Sequence, residues 1–185
     1  MLASPIQALV FEYAGTLIES RCTEHPELLP GHQTLENCLA RRGIPVAVLF
    51  DDELPATARL LPETWLRLPA QPQRRFPAPD PLLKAATHLA VDQLRRGVLV
   101  SGTVAGIQAG LNAGWWTIGT AMSGPLPNVG LNLWRDMEPA DQDRVRMQAT
   151  LGLMNAGAHY VIDTIADLNE CLFDIQARLE RNERP

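Results

Sequence analysis

Short apolar runs rich in branched residues alternate along the whole chain with stretches of helical periodicity. The runs lie at 6–11, 44–50, 64–68, 96–102, 115–121 and 159–163. Most of them are apolar at consecutive positions, which indicates strands that are buried on both faces. Strands of this kind, alternating with helices, form a parallel sheet that helices cover on both sides through right-handed crossovers. The sequence therefore predicts an α/β, Rossmann-like fold with a mostly parallel sheet.

The segments between the runs have the spacing and the end signals of helices. One apolar pattern, for example, stops at Gly43, and glycine commonly follows the last turn of a helix. Helices are predicted over 31–43, 51–61, 81–94, 103–114, 139–155 and 165–182. The proline-rich stretch 69–81 and the stretch 122–138 are predicted as loops. No internal repeat interrupts this order, so we predict a single domain over residues 1–185.

Charge and cysteine usage exclude several classes of function. The net charge is -5, and because nucleic acids and anionic membranes require a basic face, neither is predicted as a partner. No apolar run approaches the ~20 residues that span a bilayer, and the first residues lack the basic segment of a signal peptide. The 3 cysteines are far apart and lack the spacing of a zinc site. These features predict a cytoplasmic protein with reduced thiols.

The loops after the predicted strands are where chemistry is expected, because ligands bind at the carboxyl ends of parallel strands. Glu12 follows the first run and opens the turn EYAGT, while Asp51 and Asp52 follow the second run. Glu12 is a candidate nucleophile or general base; alternatively, it is a carboxylate that faces water at a strand end. Asp51 and Asp52 are candidate helix caps, or candidate ligands that would hold a cation together with Glu12.

Three stretches resemble the phosphonoacetaldehyde hydrolases, a branch of the haloacid dehalogenase-like superfamily. Residues 6–16 are similar to the family's nucleophile strand and turn, residues 100–119 to its metal loop with the following helix and strand, and residues 155–185 to its C-terminal strand and helix. The resemblance implies a haloacid dehalogenase-like core that transfers a phosphoryl-type group to an aspartate with the help of magnesium. It also implies an inserted helical cap, whose lysine forms a Schiff base with the aldehyde substrate.

The catalytic carboxylates depart from the family pattern. Glu12 stands in place of the nucleophilic aspartate, and its extra methylene moves the attacking oxygen by ~1 Å, a misplacement that can cost about a hundredfold in rate. Gly102 and Gly106 stand in place of the two aspartates that bind magnesium. Magnesium requires several oxygen ligands, which are normally carboxylates. We therefore expect no metal site and no cofactor.

The cap and its lysine are also missing from the pattern. Only 14 residues lie between Thr16 and Gly31, where the family inserts the cap, and this is too short for a helical bundle. The chain contains a single lysine, Lys84, which is predicted to lie on the solvated face of a core helix. A core without a cap domain is therefore predicted.

The phosphate-binding side chains are altered in the same way. The second run ends in Val48, Leu49 and Phe50 where the family has a hydroxyl residue. Phe76 stands where the family has a lysine or an arginine, and Arg75, like its neighbour Arg74, would have to take over that role. Phosphate binding of the family type is therefore weakened at both motifs.

These departures favour a catalytically inactive relative of the phosphonoacetaldehyde hydrolases that acts by binding. Gly15, Thr16, Thr103 and Arg75 would supply N–H groups, hydroxyls and a cation to a residual site for a small anion. The alternative is a hydrolase with altered chemistry, acting on a small phosphate or phosphonate compound through Glu12. Whether the chain is an enzyme is therefore left open by the sequence.

A protein partner or self-association is a further possibility. Trp65 and Trp134 would be exposed where a cap once packed, and an uncovered apolar patch marks an interaction surface. The four histidines, in contrast, show no ligand spacing. The identity of any partner does not follow from the sequence.

Overall fold

A computed structural model describes residues 5–20, 27–51, 54–69 and 74–185 of the chain. Six of its segments are strands. Their bounds are Ala8–Glu12 (β1), Val46–Phe50 (β2), Leu66–Pro69 (β3), Gly97–Ser101 (β4), Trp116–Thr120 (β5) and Tyr160–Ile162 (β6). They form one sheet in the order β3-β2-β1-β4-β5-β6, and every pair of neighbours is parallel. The predicted parallel α/β architecture is confirmed.

Helices connect the strands. Their bounds are His32–Arg42 (α1), Asp80–His88 (α2), Val104–Asn112 (α3), Leu131–Arg135 (α4), Pro139–Asn155 (α5) and Leu168–Glu180 (α6). Short 3₁₀ turns lie at Ala56–Leu60, Leu94–Arg96 and Ile165–Asp167. Among the described residues, no helix is long and apolar enough to cross a lipid bilayer.

Two hydrophobic clusters lie on opposite faces of the sheet, because successive strand residues point to opposite sides. In β1, Leu9 and Phe11 join the cluster that also contains residues of α1, α5 and α6. Ala8 and Val10 join the other cluster, which contains Leu82 of α2. Because both faces are covered, the strands are apolar at consecutive positions, as the sequence indicates.

The helix predicted over 51–61 is wrong in extent. Of the described residues in this range, only Ala56–Leu60 are helical, as a 3₁₀ turn with Pro55 rather than an aspartate at its N-terminal cap position. Proline at 55 and 62 disfavours helical conformation in the residue before each, which confines the turn between them. Asp51 is therefore not a helix cap, and Asp52 lies outside the described residues.

The helix predicted over 81–94 ends earlier, at His88. Ala90 adopts a left-handed conformation with φ 53°, and the Val91 N–H donates to the Ala86 carbonyl at 2.9 Å. This pattern is the Schellman ending of a helix. The apolar residues Leu89 and Val91 then pack against the cluster that contains Leu82, which explains why the apolar spacing continues past the helix end.

The prediction of an exposed patch at Trp65 is wrong. Trp65 is 6% exposed and stacks on Phe11 of β1, with 5.6 Å between the ring centroids. Trp134 is half-buried, and its indole N–H donates to the Gln142 carbonyl at 3.1 Å. Trp65 lies in the core, and Trp134 packs against it from the edge.

Candidate functional site

A buried carboxylate lies at the carboxyl end of β1. Glu12 is 6% exposed and is the last residue of the strand. In the parallel pair β1–β4, Phe11 lies opposite Val100, so Glu12 and Ser101 come next on adjacent strands. The Ser101 hydroxyl donates a short hydrogen bond to Glu12 Oε2. The parallel register thus delivers a donor directly to the carboxylate.

Thr103 joins the carboxylate to the N-terminus of α3. Its hydroxyl donates to the carboxylate and lies 3.1 Å from Oε2 and 3.3 Å from Oε1 of Glu12. The same oxygen caps the helix by accepting a hydrogen bond from the Gly106 N–H at 3.0 Å. The Thr103 N–H donates to Ser101 Oγ at 3.0 Å. Glu12, Ser101 and Thr103 therefore form one connected group, here called the Glu12 network.

The environment of Glu12 favours its protonated form. Burial is the largest cause, and it raises the pKa of the carboxyl to about 7; the nearby charge of Asp51 raises it further. The hydrogen bonds from Ser101 and Thr103 lower the pKa, because they stabilise the carboxylate, but they do not cancel the burial. At neutral pH the group is therefore about half protonated.

The turn after β1 is fastened to the loop after β5. Gly15 has φ 84°, a left-handed conformation that glycine adopts without strain. Its carbonyl accepts hydrogen bonds from the hydroxyls of Thr120 and Ser123, each at 2.7 Å. Thr16 is fully buried, and its hydroxyl donates to the Glu12 carbonyl. Both predicted turn residues are thus engaged in holding the turn.

Backbone fills the space beside Gly102. A Cβ atom at this position would lie 2.7 Å from the Gly124 Cα and 3.1 Å from the Gly15 carbonyl oxygen. A Cβ atom at Gly106 would lie 2.0 Å from the Ser101 Oγ. These distances are far below van der Waals contact, so neither position accepts a side chain unless its surroundings move.

A pocket of about 290 Å³ opens beside the Glu12 network, at the carboxyl ends of β1, β2 and β3. We call it the strand-end pocket. Its lining combines carboxylates, cations and apolar side chains. The lining residues are Glu12, Leu49, Phe50, Asp51, Leu68, Pro69, Arg74, Arg75, Phe76, Pro81, Lys84, Thr103 and Ala105.

The cations of the strand-end pocket come from α2 and the segment before it. Arg74 forms a bidentate ion pair with Asp80, at 2.8 and 2.9 Å. Arg75 lines the pocket beside it. Lys84 is half-buried, and among the described residues it has no hydrogen-bond or ion-pair partner. Lys84 is partly exposed on the face of α2 that lines the pocket, so its place on a solvated helix face stays a prediction.

Relatives of known name match most of the chain. No protein-family model matches it. A phosphonoacetaldehyde hydrolase from Bordetella avium is 32% identical over 173 residues, which cover 89% of this chain and 62% of the relative. The chain spans between 41% and 62% of the length of the phosphonoacetaldehyde hydrolases that it matches.

Solved structures match the fold over its whole length. A crystal structure with 36% sequence identity has a TM-score of 0.82 and covers 97% of this chain and 100% of its own. The chain belongs to the phosphonoacetaldehyde hydrolase-like branch of the haloacid dehalogenase-like superfamily. The crystal structure of a phosphonoacetaldehyde hydrolase-like protein from Oleispira antarctica shares the fold, with 23% identity, a TM-score of 0.87 and coverage of 99% of this chain and 97% of its own.

The structure brings only some of the predicted site residues together. Glu12, Thr103 and Arg75 line the strand-end pocket together. Gly15 and Thr16 do not line it, although both lie in the described part of the chain. The anion site predicted from all these residues is therefore divided between the pocket wall and the turn behind it.

Lys84 is the residue that sequence reasoning missed. It lies 3 residues after Pro81 on α2, and both residues line the pocket. Residues three apart share one face of a helix. The spacing of Pro81 and Lys84 places both residues on one face of α2, but only the structure shows that this face lines the pocket.

Magnesium does not fit the residues that are present. The described residues contain no group of three or more His, Cys, Asp or Glu side chains that could hold a metal ion. The Glu12 carboxylate accepts hydrogen bonds from two hydroxyls. The two positions where the family has aspartates are glycines here, Gly102 and Gly106, and both are tightly packed. We therefore assign no step to a metal.

Proposed function

We propose that this protein is a catalytically inactive relative of the phosphonoacetaldehyde hydrolases, and that it binds a small anion in the strand-end pocket. The observation that carries this proposal is the close packing at Gly102, where a Cβ atom would meet the Gly124 Cα at 2.7 Å. A loop backbone thus occupies the place from which the family's aspartate would reach the metal. A single substitution at 102 would not restore the lost ligand.

The chemistry at Glu12 supports the same proposal. Its carboxylate is buried, accepts hydrogen bonds from two hydroxyls, and is about half protonated at neutral pH. A nucleophile needs a free, ionised oxygen aligned with the reacting group. In-line attack by Glu12 would require it to leave the Ser101 and Thr103 hydroxyls.

Anion binding is supported by the cations of the pocket. Lys84 has no partner among the described residues, and Arg75 lines the same wall. The Thr103 hydroxyl adds a polar group near the N-terminus of α3, where the helix dipole favours negative charge. Apolar side chains also line the pocket, and a charge–charge contact is stronger beside apolar groups than in open water.

One observation favours the alternative, a hydrolase with altered chemistry acting on a small phosphate or phosphonate compound. A carboxyl with a pKa of about 7 is suited to act as a general acid or base near neutral pH. Under this alternative, Glu12 would move a proton instead of attacking the substrate. The two candidates differ in whether any turnover depends on Glu12.

The test combines turnover with thermal unfolding. We expect no hydrolysis of phosphonoacetaldehyde above the buffer rate, with or without magnesium, and no effect of magnesium on the melting temperature. Methylphosphonate should raise the melting temperature, because a ligand that binds only the folded state stabilises it. At a methylphosphonate concentration of a hundred times Kd, the stabilisation is about 2.7 kcal/mol. Lys84→Gln should abolish this rise, while Arg135→Gln, which removes a charge from exposed α4, should keep it.

The opposite results would overturn the proposal in distinct ways. Turnover that disappears in Glu12→Ala would support the alternative hydrolase. A rise in melting temperature with magnesium alone would mean that a metal site exists. A rise with methylphosphonate that survives in Lys84→Gln would place the anion outside the strand-end pocket.

The organisation and location of the chain are proposed on separate grounds. A single domain is supported by one continuous six-stranded sheet with helices on both faces. A cytoplasmic location is supported by Cys38 and Cys171, which are free thiols in the structure.

A further inference from the structure

Apolar side chains form one part of the strand-end pocket, here called the apolar floor and made of Leu49, Leu68 and Phe76. Leu49 of β2 and Leu68 of β3 are 8% and 5% exposed, and both belong to the hydrophobic cluster that contains Leu82. Phe76 is half-buried, packs against the same cluster and lines the pocket. An apolar group bound on this floor would extend an existing core, which is favourable because it removes apolar surface from water.

The cations of the pocket lie closer to solvent than the apolar floor. Arg74 and Arg75 are exposed, whereas Lys84 is half-buried on the face of α2 that lines the pocket. Arg74 is already paired with Asp80. Lys84 has no hydrogen-bond or ion-pair partner among the described residues, so an acidic group gains most from contact with its ammonium.

The polar side chains at the other end of the pocket, Glu12 and Thr103, already have partners within the protein. The Glu12 carboxylate accepts hydrogen bonds from the hydroxyls of Ser101 and Thr103. The Thr103 hydroxyl also accepts from the Gly106 N–H. A hydroxyl on the part of the ligand that covers the apolar floor would therefore lose its hydrogen bonds to water without replacement, which is unfavourable.

The apolar lining includes the positions where the family binds phosphate. Leu49 and Phe50 end β2, where the family has a hydroxyl residue, and Phe76 stands where the family has a lysine or an arginine. All three residues line the pocket. The chain thus presents apolar surface where the family presents groups for phosphate oxygens, and a bare phosphate would leave this surface uncovered.

We infer that the strand-end pocket binds a small organic acid with a short aliphatic tail, whose acidic group contacts Lys84 and whose tail covers the apolar floor. The acidic end rests on the proposed function, and the inference adds the tail. The pocket volume of about 290 Å³ is at the lower end for small-molecule sites, which limits the tail to a few carbons. The shared chemistry is an alkyl chain on a phosphonate or a carboxylate.

The experiment measures how affinity depends on the length of the tail, by isothermal titration calorimetry of the full chain. The probes are methyl-, ethyl-, propyl- and butylphosphonate, with acetate, propionate, butyrate and pentanoate as the matching carboxylates. The class that binds more tightly identifies the acidic group. In that class each added methylene should tighten binding about fourfold, which is the value for burying one methylene, so three methylenes should give about sixtyfold.

A polar analogue tests whether the tail meets an apolar surface. 3-Hydroxypropylphosphonate and 4-hydroxybutyrate replace the terminal methyl groups of butylphosphonate and pentanoate with hydroxyls of similar size. Each should bind at least about tenfold more weakly than its alkyl counterpart, because the hydroxyl loses its hydrogen bonds to water on the apolar floor.

Variants at the two ends of the ligand locate it in the pocket. Phe76→Asn should reduce the sixtyfold ratio at least about fivefold, whereas Phe76→Leu, which remains apolar, should reduce it less than about twofold. Lys84→Gln should weaken every acid by about tenfold and leave the ratio unchanged. Leu133→Asn removes an exposed apolar side chain from α4, outside the pocket lining, and should change neither quantity.

Should Phe76→Asn fail to fold, the heat capacity change of binding to the unmodified protein replaces it. This change should become more negative with each added methylene, because burial of apolar surface on binding lowers the heat capacity. A heat capacity change that stays constant along the series would contradict the inferred contact between the tail and the apolar floor.

The failures of the two proposals are distinguishable. Equal affinities along both alkyl series, with binding still weakened by Lys84→Gln, overturn the inferred tail and leave anion binding in place. A ratio that is unchanged in Phe76→Asn has the same meaning, as does a hydroxyl analogue that binds as tightly as its alkyl counterpart. Absence of binding by every acid, or acid binding insensitive to Lys84→Gln, overturns both proposals.

Discussion

Glu12 illustrates how one buried side chain can change the character of a strand end. The carboxylate is held by Ser101 and Thr103 but is enclosed with Asp51 nearby, so burial costs more than the hydrogen bonds return. The rise of its pKa from 4.5 to about 7 corresponds to about 3 kcal/mol. Free energy of this size is a large part of the stability of an ordinary domain.

The pH dependence of stability should therefore carry the signature of Glu12. Because the folded-state pKa is above the unfolded one, its contribution is fully present below about pH 4.5 and is lost as the pH rises through about 7. Glu12→Gln removes this titration, so it should gain up to about 3 kcal/mol relative to the unmodified protein between pH 5 and pH 8. Urea unfolding across this range measures the difference, with exposed Glu63→Gln as the control. Parallel profiles for all three proteins would contradict a buried, raised carboxyl.

At the scale of elements, the N-terminus of α3 is packed against the end of β4. Ser101 supplies a hydroxyl to Glu12, and the same hydroxyl occupies the space in front of Gly106. The serine and the glycine are thus mutually compatible, since a larger residue at 106 would displace the serine. In the family pattern an aspartate stands at 106, and the two positions have to change together.

A double-mutant cycle tests this coupling. Gly106→Ala should destabilise the protein by roughly 1–3 kcal/mol, because its methyl group would lie 2.0 Å from the Ser101 Oγ. In a Ser101→Gly background the cost should be smaller by at least about 0.5 kcal/mol, because two of the three nearest atoms belong to the Ser101 side chain and the third is the Thr103 hydroxyl at 2.9 Å. Gly152→Ala in α5 is the control, because its methyl group meets only the movable Leu126 side chain, at 3.3 Å. Equal costs in both backgrounds would show that the packing is not shared.

At the scale of the whole molecule, the sheet separates two cores. Leu82 of α2 belongs to one cluster and Ile175 of α6 to the other, and both are fully buried. The sheet lies between them, so the two side chains share no partner. Stability effects on the two faces should therefore be independent.

The expected result is additivity. Leu82→Ala should cost about 2–5 kcal/mol and Ile175→Val about 0.5–1.5 kcal/mol, from lost burial and the cavity left behind. The double variant should equal the sum within about 0.5 kcal/mol, as chemical denaturation would show. A larger deviation would mean that the sheet transmits changes between its faces. The comparison is a double variant within one cluster, Ile175→Val with Leu172→Ala, whose effects on stability need not add.

The sequence alone determined the fold class and the missing family residues. Consecutive apolar residues in the strands require cover on both faces, and this local pattern predicts the parallel sheet without any knowledge of contacts. Identity at a single position needs no tertiary information either, so Glu12, Gly102 and Gly106 could be assigned as departures from the family. The 14 residues between Thr16 and Gly31 likewise predict a core without a cap.

Only the tertiary structure decided what surrounds these residues. The space beside Gly102 is filled by Gly124, which lies 22 positions later in the chain, in the loop after β5. The position of Lys84 at the pocket depends on which face of α2 packs against the sheet, and the burial of Trp65 depends on Phe11 of β1. Propensity and periodicity act over a few neighbouring residues, whereas burial and pKa are set by groups distant in the chain. The sequence therefore predicts several residues of the candidate site, whereas their burial and contacts follow only from the packing of the sheet and its loops.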